Sequence, residues 1–513
     1  MYTPPLAGAA DTAQAVRPGS LGSPPDVRCK NPRVANPDRL SGLDASFLHL
    51  ERDSAHMHVA ACAVLEGTAP GYEELVEEIL ARLHLVPRYR QQLAFVPLGQ
   101  GRPVWVDDPH FQLSYHVRHS ALPRPGGERE LKRLAGRVFS QALDRSRPLW
   151  ELWLVEGLAE DRFALLSKAH HALVDGVSGV DIASVLFDVA PEPRPVAPPE
   201  HEWTPRPLPS DAQLLGDALL ERATVPGELA RGLRATLRRP RRVAARIAGG
   251  LVGVGAMAWA GAQPAPSTPF NVRIGPHRRF TWVRGELSAF KAVKNAFGGT
   301  VNDVVLAAVA DALGRYMRRH GHVTDGLELK ALVPVSVRAE VQRGALGNRI
   351  AAMWAPLPLG ITDPVQRLRH ISRAINAVKD SGQAVGAEVL TRLSGFAPPT
   401  IMAQAARLQA RQRLFNLVVT NVPGPQLPLY VLGCKLQALY PMVPLAENTA
   451  LGIAIVSYDG QLNFGLTADY DALADVETLA EELRGAIATL AAAAARRPKR
   501  PGGSRPGAIR ALP

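Results

Sequence analysis

Two runs of alternating apolar residues, TALGIAIVSY (449–458) and QLNFGLTADY (461–470), are separated only by Asp459-Gly460. Asp-Gly tolerates the positive φ values of a two-residue type I′ turn, whose twist matches that of paired strands. The spacing therefore predicts an antiparallel hairpin. A second hairpin is predicted far upstream. PLWELWLVEGL (148–158) reads as a strand, Ala159-Glu160-Asp161 as its turn, and RFALLSKA (162–169) as the returning strand. Strict βαβ alternation would demand parallel sheets. Hairpins in both halves predict instead a mixed α/β (α+β) fold with largely antiparallel pairing.

Helical spacing appears between the strands. In GYEELVEEILARLHLV (71–86), Leu75, Ile79, Leu83 and Val86 share one face. A helix over 300–320 has Thr300 at the N-cap, Asp303 at the third helical position, and Val305, Ala308, Val309, Ala312, Leu313 and Tyr316 on one side. Arg318, Arg319 and His320 complement its C-terminus, and Gly321 ends it. A further helix is predicted over 178–190, with Ser178 and Asp181 at cap spacing. Strand signals recur at 56–67, 329–337, 348–359 and 414–422, and order should begin near Leu40 in LSGLDASFLHLE.

A chain of 513 residues exceeds one ordinary domain. Composition shifts divide it into a Pro/Gly/Ala-rich leader over 1–38, predicted disordered, a folded unit over 39–190, a Pro-rich and basic crossover over 191–269, a second folded unit over 270–495, and a basic tail over 496–513. With 46% hydrophobic and 21% charged residues, wholesale disorder is excluded. Three scattered cysteines (Cys29, Cys62 and Cys434) support neither a disulfide framework nor a zinc ribbon, so a reducing intracellular setting is expected. The N-terminus lacks the pattern of a secretory signal. No stretch supplies about 20 strongly apolar residues; the nearest is IAGGLVGVGAMAWAGA (247–262).

The segment His170-His171-Ala172-Leu173-Val174-Asp175-Gly176 carries the chemistry. It begins where the second predicted strand ends, so a histidine there is held rigidly while projecting into a cleft. Imidazole suits a general base because its ordinary pKa near 6.5 leaves a neutral form at physiological pH. A satisfied core histidine is the blander alternative. Adjacent strand residues point to opposite faces, so His170 and His171 cannot readily share a metal. The sequence lacks HExxH, a cysteine cluster, the G-x-S-x-G nucleophile elbow, the P-loop and the Rossmann glycines.

HHALVDG fits the HHxxxDG motif of the CoA-dependent acyltransferase superfamily. Together with LSGLDASFLHLE (40–51), PLWELWLVEGL (148–158), NDVVLAAVADALGRY (302–316), LGNRIA (346–351) and NVPGP (421–425), the chain resembles the bacterial wax ester synthase/diacylglycerol acyltransferase family. The resemblance implies two domains like chloramphenicol acetyltransferase with a tunnel between them. It implies acyl transfer from acyl-CoA to diacylglycerol, or to a long-chain alcohol, without an acyl-enzyme. No metal or cofactor is expected, acyl-CoA being a substrate. His171 would be the base and His170 its support. Asp175 would shape the loop and Gly176 would give clearance. Asn302 would be an oxyanion donor or an orienting group, with helix capping as the plain alternative. Pro148, Leu149, Trp150 and Glu151 would line the site or merely pack beside it.

The net charge of +12 suits an anionic partner. Arg231, Arg234, Arg238, Arg239, Arg241, Arg242 and Arg246 lie in a stretch, 229–285, that contains no acid. It reads as a solvated helical face, as a CoA-phosphate attractor, or as a peripheral contact with an anionic membrane or lipid-droplet surface. No nucleic-acid module is recognisable. Rivals to triacylglycerol synthesis are esterification of a specialised lipid alcohol, a non-catalytic lipid-granule role, and drug acetylation, which the long chain and basic apolar insert fit poorly. The intact HHALVDG argues against the second.

Overall fold

The computed structural model of the chain describes residues 38–174, 185–221, 223, 264–336, 350–380 and 414–497. The first part comprises α1 (Gly42–Leu50), β1 (His58–Glu66), α2 (Tyr72–Arg82), β2 (Gln91–Ala94), β3 (Val104–Asp107), α3 (Leu113–His116), β4 (Val117–Ala121), α4 (Glu128–Phe139), β5 (Trp150–Leu158), β6 (Arg162–His170) and α5 (His171–Val174). The second comprises β7 (Arg278–Glu286), α6 (Leu287–Phe297), α7 (Val301–Arg319), β8 (Glu328–Ser336), β9 (Ile350–Pro358), α8 (Pro364–Asp380), β10 (Leu417–Pro423), β11 (Tyr430–Val431), β12 (Cys434–Met442), β13 (Leu451–Tyr458), β14 (Gln461–Asp469) and α9 (Val476–Ala495).

Both predicted hairpins form. Asp459 and Gly460 sit at φ 41° and 79° between β13 and β14, and Glu160 and Asp161 at φ 64° and 48° between β5 and β6. The capping box of α7 also forms: Thr300 Oγ1 accepts from the Asp303 N–H at 3.2 Å, and the Thr300 N–H donates to Asp303 Oδ2 at 2.9 Å. The helix predicted over 71–86 stops at Arg82 and tightens into 3₁₀ turns over 83–85 and 87–90, where Pro87 forbids continuation. LSGLDASFLHLE is more regular than expected. Ser41 caps α1 by accepting from the Asp44 N–H at 3.1 Å, and Ala45 and Leu48 are buried.

Two six-stranded sheets result, ordered β11-β12-β1-β6-β5-β4 and β7-β14-β13-β10-β8-β9, with β2-β3 as a separate hairpin. Pairing is mostly antiparallel, with parallel neighbours at β4–β5, β10–β13 and β10–β8. The first sheet is not made from the first half alone, because β12 crosses over to pair with β1, Cys62 opposite Tyr440. The crossing needs a glycine on the other sheet. A Cβ on Gly465 would lie 1.8 Å from the Pro441 carbonyl oxygen.

Hydrophobic burial supplies the driving force. One cluster packs α6, α7, α8 and α9 on the second sheet, and Ala55 and Met57 from the first part join it. A second gathers α1, α2 and one face of the first sheet, and a third fills the space between α4, β1, β6, β7 and β12. Segment 191–210 lies without helix or strand on the surface, pinned where Arg206 meets Asp107 at 3.0 Å and Trp203 receives Arg90 at 4.6 Å. Among the described residues no single helix is long and apolar enough to cross a membrane. Residues 1–37, the helix predicted over 178–190 apart from its last turn, LGNRIA apart from its last two residues, 224–263 and 498–513 lie outside the described residues.

Candidate active site

Strand β6 delivers the histidine pair. Its register with β1 sets His170 opposite His58, and the His170 N–H donates to the Leu149 carbonyl at 2.9 Å. His170 is buried. Its Nδ1 accepts from the Ala172 N–H at 3.1 Å, which places the proton of a neutral ring on Nε2. Nε2 faces Glu51 Oε2 at 3.5 Å, an ion-pair distance but long for a hydrogen bond. Both ring nitrogens of His170 are thus directed at protein groups.

His171 differs. It opens α5, is half-buried, and its N–H donates to the Met57 carbonyl at 2.9 Å. Phe47 of α1 stacks on its ring, centroids 3.9 Å apart and planes at 18°. Phe47 and Val301 pack against the same hydrophobic cluster that contains Met57, so the site borders the second sheet's core.

Behind the pair lies a charged network that the sequence reading missed. Glu51 Oε2 accepts from Arg145 Nε at 3.0 Å and also from Arg145 Nη2, while Glu51 Oε1 accepts from the Met57 N–H at 3.3 Å. Burial alone would raise the Glu51 pKa, but His170 and Arg145 outweigh it and hold the carboxyl at about 2. Burial, with the Lys168 charge adding to it, keeps His58 neutral well below the usual imidazole range, and its Nε2 lies 3.0 Å from the Phe139 carbonyl. The Ser41–Asp44 cap ahead of Ala45 and Leu48 was the available signal for a helix ending at Glu51. Nothing local pointed to Arg145.

Pro148, Leu149, Trp150 and Glu151 are all buried. Trp150 Nε1 donates to the Tyr89 carbonyl at 2.8 Å, and the ring stacks on His116. Glu151 is held by Arg118 and Lys168, each at 3.2 Å. Asn302 stands in the first turn of α7, where Thr300 and Asp303 already perform the capping. Its Oδ1 accepts instead from Asn421 Nδ2 at 3.2 Å, which links the ND and NVPGP segments. Asp175 and Gly176 lie outside the described residues. Among the described residues no group of His, Cys, Asp or Glu is placed to hold a metal ion.

Comparison with known proteins matches residues 40–305 to the wax ester synthase/diacylglycerol acyltransferase catalytic domain and 346–491 to the C-terminal domain of the same family. A putative diacylglycerol O-acyltransferase of Mycobacterium tuberculosis is 36% identical over 475 residues, covering 90% of this chain and 91% of the relative. A wax ester synthase/diacylglycerol acyltransferase from Marinobacter aquaeolei is similar in structure, with TM-score 0.61 and 29% identity over 89% of this chain and 100% of the other. The starter condensation domain of rhizomide synthetase, solved with C8-CoA and Leu-SNAC, shares the fold at TM-score 0.54 and 16% identity, covering 89% and 94%.

Proposed function

The chain belongs to the wax ester synthase/diacylglycerol acyltransferase family, and from that premise we propose that it transfers a fatty acyl group from acyl-CoA to diacylglycerol, and to long-chain alcohols, with His171 as general base. His171 takes the proton of the acceptor hydroxyl as that oxygen attacks the thioester carbonyl. The tetrahedral intermediate collapses, the carbon–sulfur bond breaks, and the thiolate recovers the proton from the imidazolium as CoA leaves. The thiolate is a good enough leaving group that neither a covalent enzyme intermediate nor a metal or cofactor is required. Holding both substrates in one tunnel between the two sheets would supply much of the rate.

One observation carries the choice of base. His170 is buried with both ring nitrogens directed at protein groups, while the His171 side chain is half-buried and stacked on Phe47. His170 then acts as support, tied through Glu51 to Arg145. Asn302, relieved of capping by Thr300 and Asp303, serves as donor to the developing oxyanion. The PLWE segment acts by packing, because its four residues are buried.

An apolar acceptor has to be collected from a lipid phase, and we place this enzyme peripherally at an anionic membrane or lipid-inclusion surface. Support comes from exposed Phe95, Leu98 and, on the helix over 211–221, Leu219 and Leu220. Leu98 is 84% exposed, and Ala218 of that helix packs beside Gly101 of the same loop region. The sequence then continues into the arginine-rich stretch.

The test is CoA release from palmitoyl-CoA with diacylglycerol or hexadecanol, for wild type and His171→Ala. Loss of general-base assistance should slow turnover roughly 10²–10⁴-fold in a folded variant. An equally active variant refutes the assignment, and inertness toward both acceptors moves a specialised lipid alcohol or a non-catalytic role ahead.

A further inference from the structure

The proposed role of Asn302 depends on which end of its amide faces the reaction, because only the NH₂ group can donate to an oxyanion. The surroundings of the first turn of α7 bear on that orientation. The capping box of Thr300 and Asp303 fixes the first turn of α7, and so the Asn302 backbone, without drawing on the Asn302 side chain. The Asn302 oxygen accepts from Asn421 Nδ2 at 3.2 Å. Asn421 is itself anchored in β10, where it lies in parallel register opposite Ile455 of β13. An amide whose oxygen is directed at β10 has its NH₂ group at the other in-plane corner, turned away from that contact.

We propose that Asn421, the first residue of NVPGP, is a positioning residue: it donates to the Asn302 oxygen and so holds the Asn302 NH₂ group toward the acyl carbonyl. The inference rests on Asn302 being the oxyanion donor. It adds a residue that touches neither substrate nor reacting atoms and acts only through Asn302. It also accounts for why β10 carries an asparagine where β-branched Val419, Thr420 and Val422 surround it. Asparagine is a poor strand residue, so a side-chain role has to compensate for it.

Asn421→Asp separates this role from packing. The substitution is nearly isosteric, but a carboxylate only accepts hydrogen bonds. To bond it, Asn302 must turn its NH₂ toward residue 421 and its oxygen toward the oxyanion, where it repels. kcat should then fall at least as far as in Asn302→Ala, roughly 10²–10³-fold for a lost oxyanion donor, while KM for acyl-CoA stays within about twofold. In Asn302→Ala the partner is gone, so adding Asn421→Asp should cost no further activity. Thermal unfolding of each variant reports the fold, and if Asn421→Asp does not fold, Asn421→Ala is put through the same cycle with about a tenfold loss expected.

The outcomes are distinct. If Asn302→Ala is as active as wild type, the oxyanion assignment fails and the positioning role fails with it. If Asn302→Ala is slow but Asn421→Asp is as fast as wild type, Asn302 stands and the role of Asn421 is overturned, because the Asn302 amide then keeps its orientation without that donor. Losses that multiply in the double variant also overturn it, since they mark a structural contribution independent of Asn302.

Discussion

Replacing Glu51 with glutamine removes one charge and almost no volume from the centre of the network behind the histidines. The Glu51 side chain is 9% exposed, and its carboxyl is held at about 2 against an ordinary 4.5. Burial works against that depression, and His170 and Arg145 produce it. A folded-state value below the unfolded one means that ionised Glu51 stabilises the fold at pH above 4.5, and that this stability is lost as pH falls toward 2. The difference corresponds to about 3 kcal/mol at pH 7 and about 2 kcal/mol at pH 3.5. Unfolding entropy near 2 cal/mol/K per residue gives a chain of this size about 1 kcal/mol/K, so Glu51→Gln should lower the melting temperature by about 3 °C at pH 7. Urea titrations of both proteins between pH 7 and pH 3.5 would measure the gap directly, and it should narrow as the pH falls. Activity should drop as well, because His170 loses the carboxylate opposite its Nε2. A variant with the wild-type melting temperature at pH 7, and an unchanged gap at pH 3.5, would falsify the view that this carboxylate is held ionised by the network.

Three further outcomes are expected. Thr300→Ala breaks the α7 capping box and should cost about 1 kcal/mol in urea unfolding while leaving KM unchanged; no loss would mean that packing alone holds the helix start. Gly465→Ala drives a methyl group into the Pro441 carbonyl, a backbone atom that cannot step aside, so soluble yield should collapse, and a well-folded variant would contradict the closeness of the β12 crossing. Arg82→Ala leaves Asp188 buried without the guanidinium that contacts both its oxygens, at 3.0 and 2.8 Å, and should destabilise by about 3–5 kcal/mol; a loss under about 1 kcal/mol would show that water reaches Asp188.

Much of the secondary structure was legible because its signals are short-range. The Asp459-Gly460 turn, the Thr300–Asp303 box and the strand ending on His170 each depend on groups within a few residues, and each forms as read. The α1 helix carried the same kind of signal in Ser41 and Asp44, and its regularity was missed. For the PLWE segment the sequence allows both lining and packing, because alternation along a strand does not say what covers each face. The structure buries Pro148, Leu149, Trp150 and Glu151.

By itself, the sequence determined which local elements form and that a histidine pair stands at a strand end. Turns, caps and periodicity are satisfied within one element, so they are written in neighbouring residues. Only the tertiary structure decided what surrounds that pair. Glu51 and Arg145 are 94 positions apart, Asn302 and Asn421 are 119 apart, and β12 joins a sheet begun at β1. Those contacts follow from strand order and from which faces bury one another, and no local pattern encodes either. His170 and His171 are adjacent and chemically identical in the sequence. They become different groups once the fold buries one ring against Glu51 and lays the other on Phe47.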